Sequence, residues 1–153
     1  SVTKIFINNS YKVIFLQFYL KSNKNYFFLI GNILTLAFNE RKVLFMFSKD
    51  EWTQQEFLKN KKELEKKDIK VILIDTILKP IDNIETMVYN PPLMEQFPQN
   101  SVFVFYCDTG KTTKERLEYY KKKFPKHKCI SLKGGRGYFR PNLQLFDKMG
   151  NNE

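Results

Sequence analysis

Cysteine is scarce in this sequence, where Cys107 and Cys129 are the only two among 153 residues. Two cysteines cannot form the disulfide framework of a small secreted domain, and their spacing is not that of a metal site. We therefore expect free thiols in a reducing, intracellular compartment. The sequence also lacks the run of about 18 apolar residues that a membrane-spanning helix requires, so we expect no transmembrane segment.

Acidic residues are absent from the first 32 residues, and the chain up to residue 46 differs in composition from the rest. Its apolar runs are separated by polar breaks and cover residues 13–20, 27–38 and 43–47. Such a segment fits an organelle-targeting leader, and it equally fits extra strands or a helix packed on the domain. A chain of this length buries one ordinary core. We predict an N-terminal extension at 1–46, one domain at 47–146 and a tail at 147–153.

Acidic residues are also outnumbered overall, since 26 Lys and Arg stand against 16 Asp and Glu and give a net charge of +10. Residues 107–140 alone contain eleven basic and three acidic residues. This excess suits an anionic partner. A solvated lysine-rich face is the more ordinary interpretation, and a nucleic-acid surface is the alternative.

Short apolar runs rich in β-branched and aromatic residues predict strands buried on both faces. These runs cover residues 70–75, 102–106 and 129–132, and a further short strand is predicted at 86–89. Helices are predicted between them, from about Lys49 to Lys67 and from about Thr113 to Lys123. Alternating strands and helices indicate an α/β fold with a mainly parallel central sheet flanked by helices.

Both predicted helices have recognisable ends and an apolar face. Ser48 and Glu51 have the spacing of a capping box, and Pro125 is a plausible stop after the second helix. The inner faces are predicted to carry Trp52, Phe57, Leu58 and Leu64 in the first helix and Leu117, Tyr120 and Phe124 in the second.

The candidate nucleophile is Cys107, which directly follows the apolar run 102–106 and opens a polar loop. That loop reads Cys107-Asp108-Thr109-Gly110-Lys111-Thr112 and leads to the helix predicted from Thr113. Ligands of parallel α/β sheets bind beyond the carboxyl ends of the strands, and helix amides there stabilise a thiolate. Gly110 permits a positive φ, so that several amides can converge on one anion, and Lys111 adds positive charge. Cys129 lies inside a predicted strand and is interpreted as a core residue.

The tripeptide Gly110-Lys111-Thr112 also matches the end of a phosphate-binding P-loop. That motif requires a second glycine five residues before Gly110, where this sequence has Phe105 inside a predicted strand. The nucleotide-binding interpretation is therefore rejected.

The segment CDTGKTT at residues 107–113 resembles the active-site loop of the rhodanese (thiosulfate sulfurtransferase) family. The segment LKGG at 132–135, with Phe139, is similar to that family's closing motif, and LIDT at 73–76 resembles its strand ending in Asp. The resemblance covers roughly residues 48–145. One departure is that Thr76 is followed by Ile77, where the family commonly has Arg.

This resemblance implies a rhodanese-like three-layer fold and a sulfurtransferase that carries sulfur as a persulfide on Cys107. The donor would be thiosulfate or another small anionic persulfide source, the acceptor is unknown, and no cofactor is implied. Lys111 is expected to hold the donor and Thr112 to offer its hydroxyl to the terminal sulfur. The residues expected to surround the persulfide are Asp108, Thr109, Gly110, Lys111, Thr112 and Thr113.

Two other functions are kept as alternatives. A related phosphatase would have one more residue in the loop and an Arg closing it, where this chain has Thr113. A non-catalytic binding or regulatory module would keep the fold without the chemistry.

Overall fold

The computed structural model describes residues 26–140, with side chains from Ile30 onward. The chain divides into two compact units between Leu44 and Phe45. Helix α1 (Tyr26–Ser48) contains the predicted apolar runs at 27–38 and 43–47 as parts of one element. Within residues 26–140, no helix combines the length and the hydropathy that a membrane span requires. The apolar run at 13–20 and the tail at 147–153 lie outside the described residues.

The second unit is built on one five-stranded sheet in the order β1-β5-β4-β2-β3. Its strands are β1 (Glu51–Trp52), β2 (Val71–Asp75), β3 (Thr86–Val88), β4 (Val102–Tyr106) and β5 (Lys128–Leu132). Every neighbouring pair of these strands is parallel. The prediction of an α/β fold with a mainly parallel sheet is confirmed, and the sheet described here is wholly parallel.

Strand β4 lies at the centre of the sheet because its sequence, VFVFY, has no polar face. All five of its residues are 0% exposed, as expected for a strand covered on both faces. Its register aligns Tyr106 with Asp75 of β2, and Phe105 with Ser131 of β5. The carboxyl ends of three strands therefore meet at one edge of the sheet, where Cys107 follows β4.

Helices cover the two faces of the sheet. They are α2 (Gln54–Glu65), α3 (Pro91–Met94), α4 (Lys111–Glu115), α5 (Leu117–Lys123) and α6 (Gly135–Tyr138). One face buries Phe103 and Phe105 against the predicted stripe of α5, which consists of Leu117, Tyr120 and Phe124. On the other face, α2 contacts β1 and β2 and buries Phe57 and Leu64. Leu58 of α2 is only partly buried.

The predicted helix from Thr113 to Lys123 is two helices, because the chain bends at Arg116, where φ is −89° and ψ is 0°. The first of them begins at Lys111, two residues earlier than predicted. The second ends at Lys123, before Pro125, as predicted.

The predicted capping box at Ser48 and Glu51 is wrong. Ser48 ends α1, and its hydroxyl donates to the carbonyl oxygen of Phe45 at 2.7 Å. The same spacing recurs at Thr53 and Glu56, where the Glu56 amide donates to the Thr53 hydroxyl and the Thr53 amide donates to the Glu56 carboxylate. Glu51 pairs with β5 and therefore belongs to the sheet. Helix α2 begins instead at the second box, where Thr53 is the N-cap.

Trp52 is buried, as predicted, but it belongs to strand β1 and not to the helix. Its indole nitrogen donates to the carbonyl oxygen of Met46 at 3.0 Å. A buried Trp N–H requires a hydrogen-bond acceptor. Both residues of this bond, Trp52 and Met46, belong to the second unit.

Replacing Phe105 by Ala should lower the free energy of unfolding by about 3–5 kcal/mol, because the variant loses a fully buried ring and leaves a cavity. That ring stacks on Tyr120, with centroids 4.0 Å apart. Urea unfolding followed by circular dichroism measures the loss. As a control, Leu93→Ala removes a side chain that is 48% exposed and should change stability by less than about 0.5 kcal/mol. Equal losses for the two variants would contradict this packing.

Candidate active site

Cys107 lies at the carboxyl end of the central strand, and its side chain is nearly covered, with 4% of the residue exposed. The backbone amide of Gly110 donates to its Sγ at 3.1 Å. The hydroxyl oxygen of Thr113 lies 3.7 Å from the same sulfur. The loop thus folds back on its own first residue and surrounds the sulfur with hydrogen-bond donors.

The loop can close this tightly because Gly110 has no side chain. Its φ is +85°, a left-handed conformation that L side chains rarely adopt. A Cβ at this position would lie 2.8 Å from the backbone nitrogen of Gly134 and 2.9 Å from the carbonyl oxygen of Leu132. Gly110 therefore packs directly, backbone to backbone, on the segment that follows β5.

Gly134 and Gly135 form the opposing surface, and both have positive φ, +81° and +58°. A Cβ on Gly135 would lie only 2.3 Å from the carbonyl oxygen of Cys107. Beyond this contact, the Arg136 amide donates to the Cys107 carbonyl at 2.7 Å and the Gly137 amide donates to the Asp108 carbonyl at 2.8 Å. The first amides of α6 thus turn the loop carbonyls away from the sulfur.

Hydrogen bonding decides the acidity of Cys107. Burial acts to raise its pKa, but the amide and hydroxyl of Thr113, together with the amides of Gly110 and Thr109, more than offset that effect and lower the pKa below its ordinary value. Among the described residues, no hydrogen bond to the Cys129 sulfur is made, and burial raises its pKa to about 12. The interpretation of Cys129 as a core residue agrees with its 1% exposure.

The predicted site residues divide into two groups. Asp108, Thr109, Lys111 and Thr112 are exposed at the rim, whereas Gly110 and Thr113 are buried beneath them. The hydroxyl that reaches the Cys107 sulfur belongs to Thr113, and Thr112 points its side chain toward solvent. Asp108 forms an exposed ion pair with Lys79 at 3.7 Å, a type of pair that contributes little to stability.

A cleft of about 650 Å³ opens beside the loop. Its walls include Thr109, Gly110 and Lys111 from the loop, and also Lys114, Lys133 and Tyr138. Lys114 pairs with Glu51 at 3.3 Å, and 71% of Tyr138 is exposed. Glu51 lines the same cleft, so three lysines stand against one acid, and the net positive charge favours an anion.

The end of β2 is arranged around Asp75, which is 1% exposed. One of its carboxylate oxygens accepts from the Ile77 amide at 2.8 Å, and the other has no partner among the described residues. Nearby, the Tyr106 hydroxyl donates to the carbonyl oxygen of Lys79 at 2.8 Å. Burial and the neighbouring Asp75 raise the pKa of Tyr106. The loop after β2 is thereby held next to the loop of Cys107.

Two further residues escaped the sequence reasoning. Ser131 on β5 is fully buried, and its hydroxyl lies 2.8 Å from that of Thr113. Gln54 at the start of α2 makes paired hydrogen bonds through its side-chain amide with the backbone of Arg140, and so anchors the chain after α6. Ser131 is a polar residue within an apolar strand, and the sequence could have indicated a special role for it. The sequence around Gln54 gives no such indication.

Comparison of the chain with protein-family models, curated proteins and solved structures gives no match. Within residues 26–140, His, Cys, Asp and Glu side chains do not gather in groups of three that could hold a metal ion. The site consists of a nearly buried thiol, converging amides and a basic cleft.

Replacing Gly135 by Ala should cost more than about 2 kcal/mol of stability, since the residue has positive φ and its new methyl group would clash with backbone. The same change should raise the Cys107 pKa by moving the loop, as ultraviolet titration of the thiolate would show. Gly31→Ala is the control, because a Cβ there meets nothing within 4 Å. An unchanged Cys107 titration in Gly135→Ala would contradict the role given to this contact.

Proposed function

We propose that the protein is a sulfurtransferase with a rhodanese-like fold and that Cys107 carries the sulfur as a persulfide. The observation that carries the proposal is the set of amides directed at the Cys107 sulfur at the end of the central strand. An amide cradle stabilises an anion without moving during the reaction, which is the device of an oxyanion hole. The resemblance of CDTGKTT and LKGG to the rhodanese motifs supports the same reaction.

In the first step, the Cys107 thiolate attacks the outer sulfur of thiosulfate. A sulfur–sulfur bond forms to Cys107, the bond between the two thiosulfate sulfurs breaks, and sulfite leaves with that electron pair. The product is a persulfide anion on Cys107. In the second step, a nucleophilic acceptor such as a thiolate or cyanide attacks the outer sulfur, forms a bond to it, and releases the Cys107 thiolate with the electron pair of the broken sulfur–sulfur bond. No proton, oxidant or reductant is consumed in either step.

The basic cleft supports an anionic donor. Lys111 extends from the loop, and Lys114 and Lys133 lie on the same cleft. A doubly charged donor held there would gain most from Lys111 and Lys133, because Lys114 is paired with Glu51. The exposed position of Lys111 suits a role in binding the donor rather than in the chemical step.

Two features argue against a phosphatase. Thr113 stands where that class needs an Arg, and it is 0% exposed against Ser131. Arg116 lies one turn further along, at the bend between α4 and α5. A loop without the closing guanidinium lacks the planar fork that binds a phosphate in two places.

A non-catalytic binding module is the second candidate, and one observation favours it. Cys107 is nearly covered, and it is not among the residues that line the cleft. In that case the cleft would bind an anion while the thiol stays unmodified.

Cys107→Ser should abolish sulfur transfer from thiosulfate to cyanide, whereas Cys129→Ser should largely spare it, because only Cys107 has amides directed at its sulfur. Mass spectrometry after incubation with thiosulfate should find one added sulfur atom on the peptide that contains Cys107. Sulfur on Cys129, or on neither residue, would refute the assignment. Anion binding without any added sulfur would favour the binding module.

Lys111→Ala should raise the KM for thiosulfate about fivefold, the effect of losing roughly 1 kcal/mol of charge attraction, and should change kcat less. Lys126→Ala is the matched control, because it removes the same charge from an exposed position at the opposite end of the sheet. Steady-state kinetics at constant ionic strength distinguish the two variants. An equal rise in KM for the two variants would show that the effect comes from net charge and that Lys111 does not bind the donor.

A further inference from the structure

A buried serine on the neighbouring strand takes no part in the scheme above. Ser131 is 0% exposed, and its hydroxyl oxygen lies 2.8 Å from that of Thr113. The Thr113 oxygen lies in turn 3.7 Å from the Cys107 sulfur. Three side chains from β5, α4 and the end of β4 thus form a buried chain of polar groups that ends at the sulfur.

The direction of the bond between the two hydroxyls follows from what else each can reach. Thr113 can donate to the carbonyl oxygen of Gly110, 3.3 Å away, or toward the Cys107 sulfur. The Ser131 hydroxyl has Thr113 as its only hydrogen-bond partner among the described residues. If Thr113 donated to Ser131, the serine proton would be buried without an acceptor, which is costly. Ser131 is therefore the donor, and the Thr113 proton is left for the Gly110 carbonyl or the Cys107 sulfur.

We propose that Ser131 is a positioning residue: by donating to Thr113, it leaves the Thr113 hydroxyl free to donate to the Cys107 sulfur and so favours the thiolate. This inference rests on the proposed function in taking Cys107 as the reacting group. When the sulfur is protonated, Thr113 donates to the Gly110 carbonyl. When the sulfur is ionised, the Thr113 hydroxyl rotates toward it, while Ser131 holds the oxygen in place.

Other titratable groups near the sulfur do not replace this donor. Tyr120 of α5 interacts with Cys107, but burial raises the Tyr120 pKa, so the ring stays uncharged while the thiol titrates. Cys129 on β5 remains a thiol over the same range, since its pKa is about 12. The charged side chains of the loop, Asp108 and Lys111, are exposed to solvent.

Ser131→Ala should shift the titration of Cys107 to higher pH, measured by the ultraviolet absorbance of the thiolate with Cys107→Ser as the blank. Below both midpoints the thiolate fraction should fall about threefold to tenfold, the effect expected for weakening one hydrogen bond to a charged group. Ser101→Ala is the matched control. Ser101 is also fully buried in the sheet region, but its hydroxyl has no partner among the described residues. Its loss should leave the titration unchanged.

A double-mutant cycle tests whether Ser131 acts through Thr113. In a Thr113→Val background, Ser131→Ala should produce no further shift, because the hydroxyl that it orients is gone. An equal shift with and without the Thr113 hydroxyl, or no shift at all in Ser131→Ala, would overturn the proposal. If the Ala variant does not fold, Ser131→Thr and Ser131→Val repeat the comparison with side chains of the same shape. The Thr variant should titrate as the natural protein does, and the Val variant at higher pH.

This readout needs no sulfur donor, so its outcome is separate from that of the proposed reaction. A shifted titration in a protein that never accepts sulfur from thiosulfate would sustain the role of Ser131 and refute the sulfurtransferase. An unshifted titration in a protein that does transfer sulfur would refute the role of Ser131 and sustain the sulfurtransferase.

Discussion

The contact of Gly110 with Gly134 and Gly135 is the constraint on which the site depends. Three glycines with positive φ bring two backbone segments together at distances that leave no room for a Cβ. This close approach turns the loop carbonyls toward the first amides of α6 and leaves the loop amides directed at the Cys107 sulfur. The acidity of the thiol is therefore a property of backbone packing more than of any charged side chain.

The two cysteines illustrate how burial and hydrogen bonding compete. Both side chains are almost fully covered, yet the pKa of Cys107 is lowered and that of Cys129 is raised to about 12. Desolvation opposes the charged form at both positions. Cys107 follows the end of a strand, where backbone amides can donate to its sulfur. Cys129 lies inside β5, where the neighbouring amides are hydrogen-bonded to the adjacent strands. Position along a strand thus separates a thiol with a lowered pKa from one with a raised pKa.

Sequence patterns were sufficient where local chemistry and tertiary packing agree. The run VFVFY predicted β4 to the residue, because a strand with no polar face can only be central. They failed where one pattern occurs twice. Two capping boxes lie five residues apart, and pairing with β5, which is distant in sequence, selected the second. Spacing arguments also did not identify Thr113 as the threonine whose hydroxyl lies near the Cys107 sulfur, because the burial of Thr113 and the exposure of Thr112 follow from the turn of α4.

The glycine contact also determines when the pKa of Cys107 is lowered during synthesis of the chain. The loop of Cys107 is made before β5 and α6, which supply the surfaces that shape it. A nascent chain that extends only to α5 has neither Ser131 nor the two glycines, so its Cys107 is an ordinary thiol. Its thiolate fraction at neutral pH is correspondingly small. The lowered pKa of Cys107 is therefore acquired only when β5 and α6 have docked against the loop.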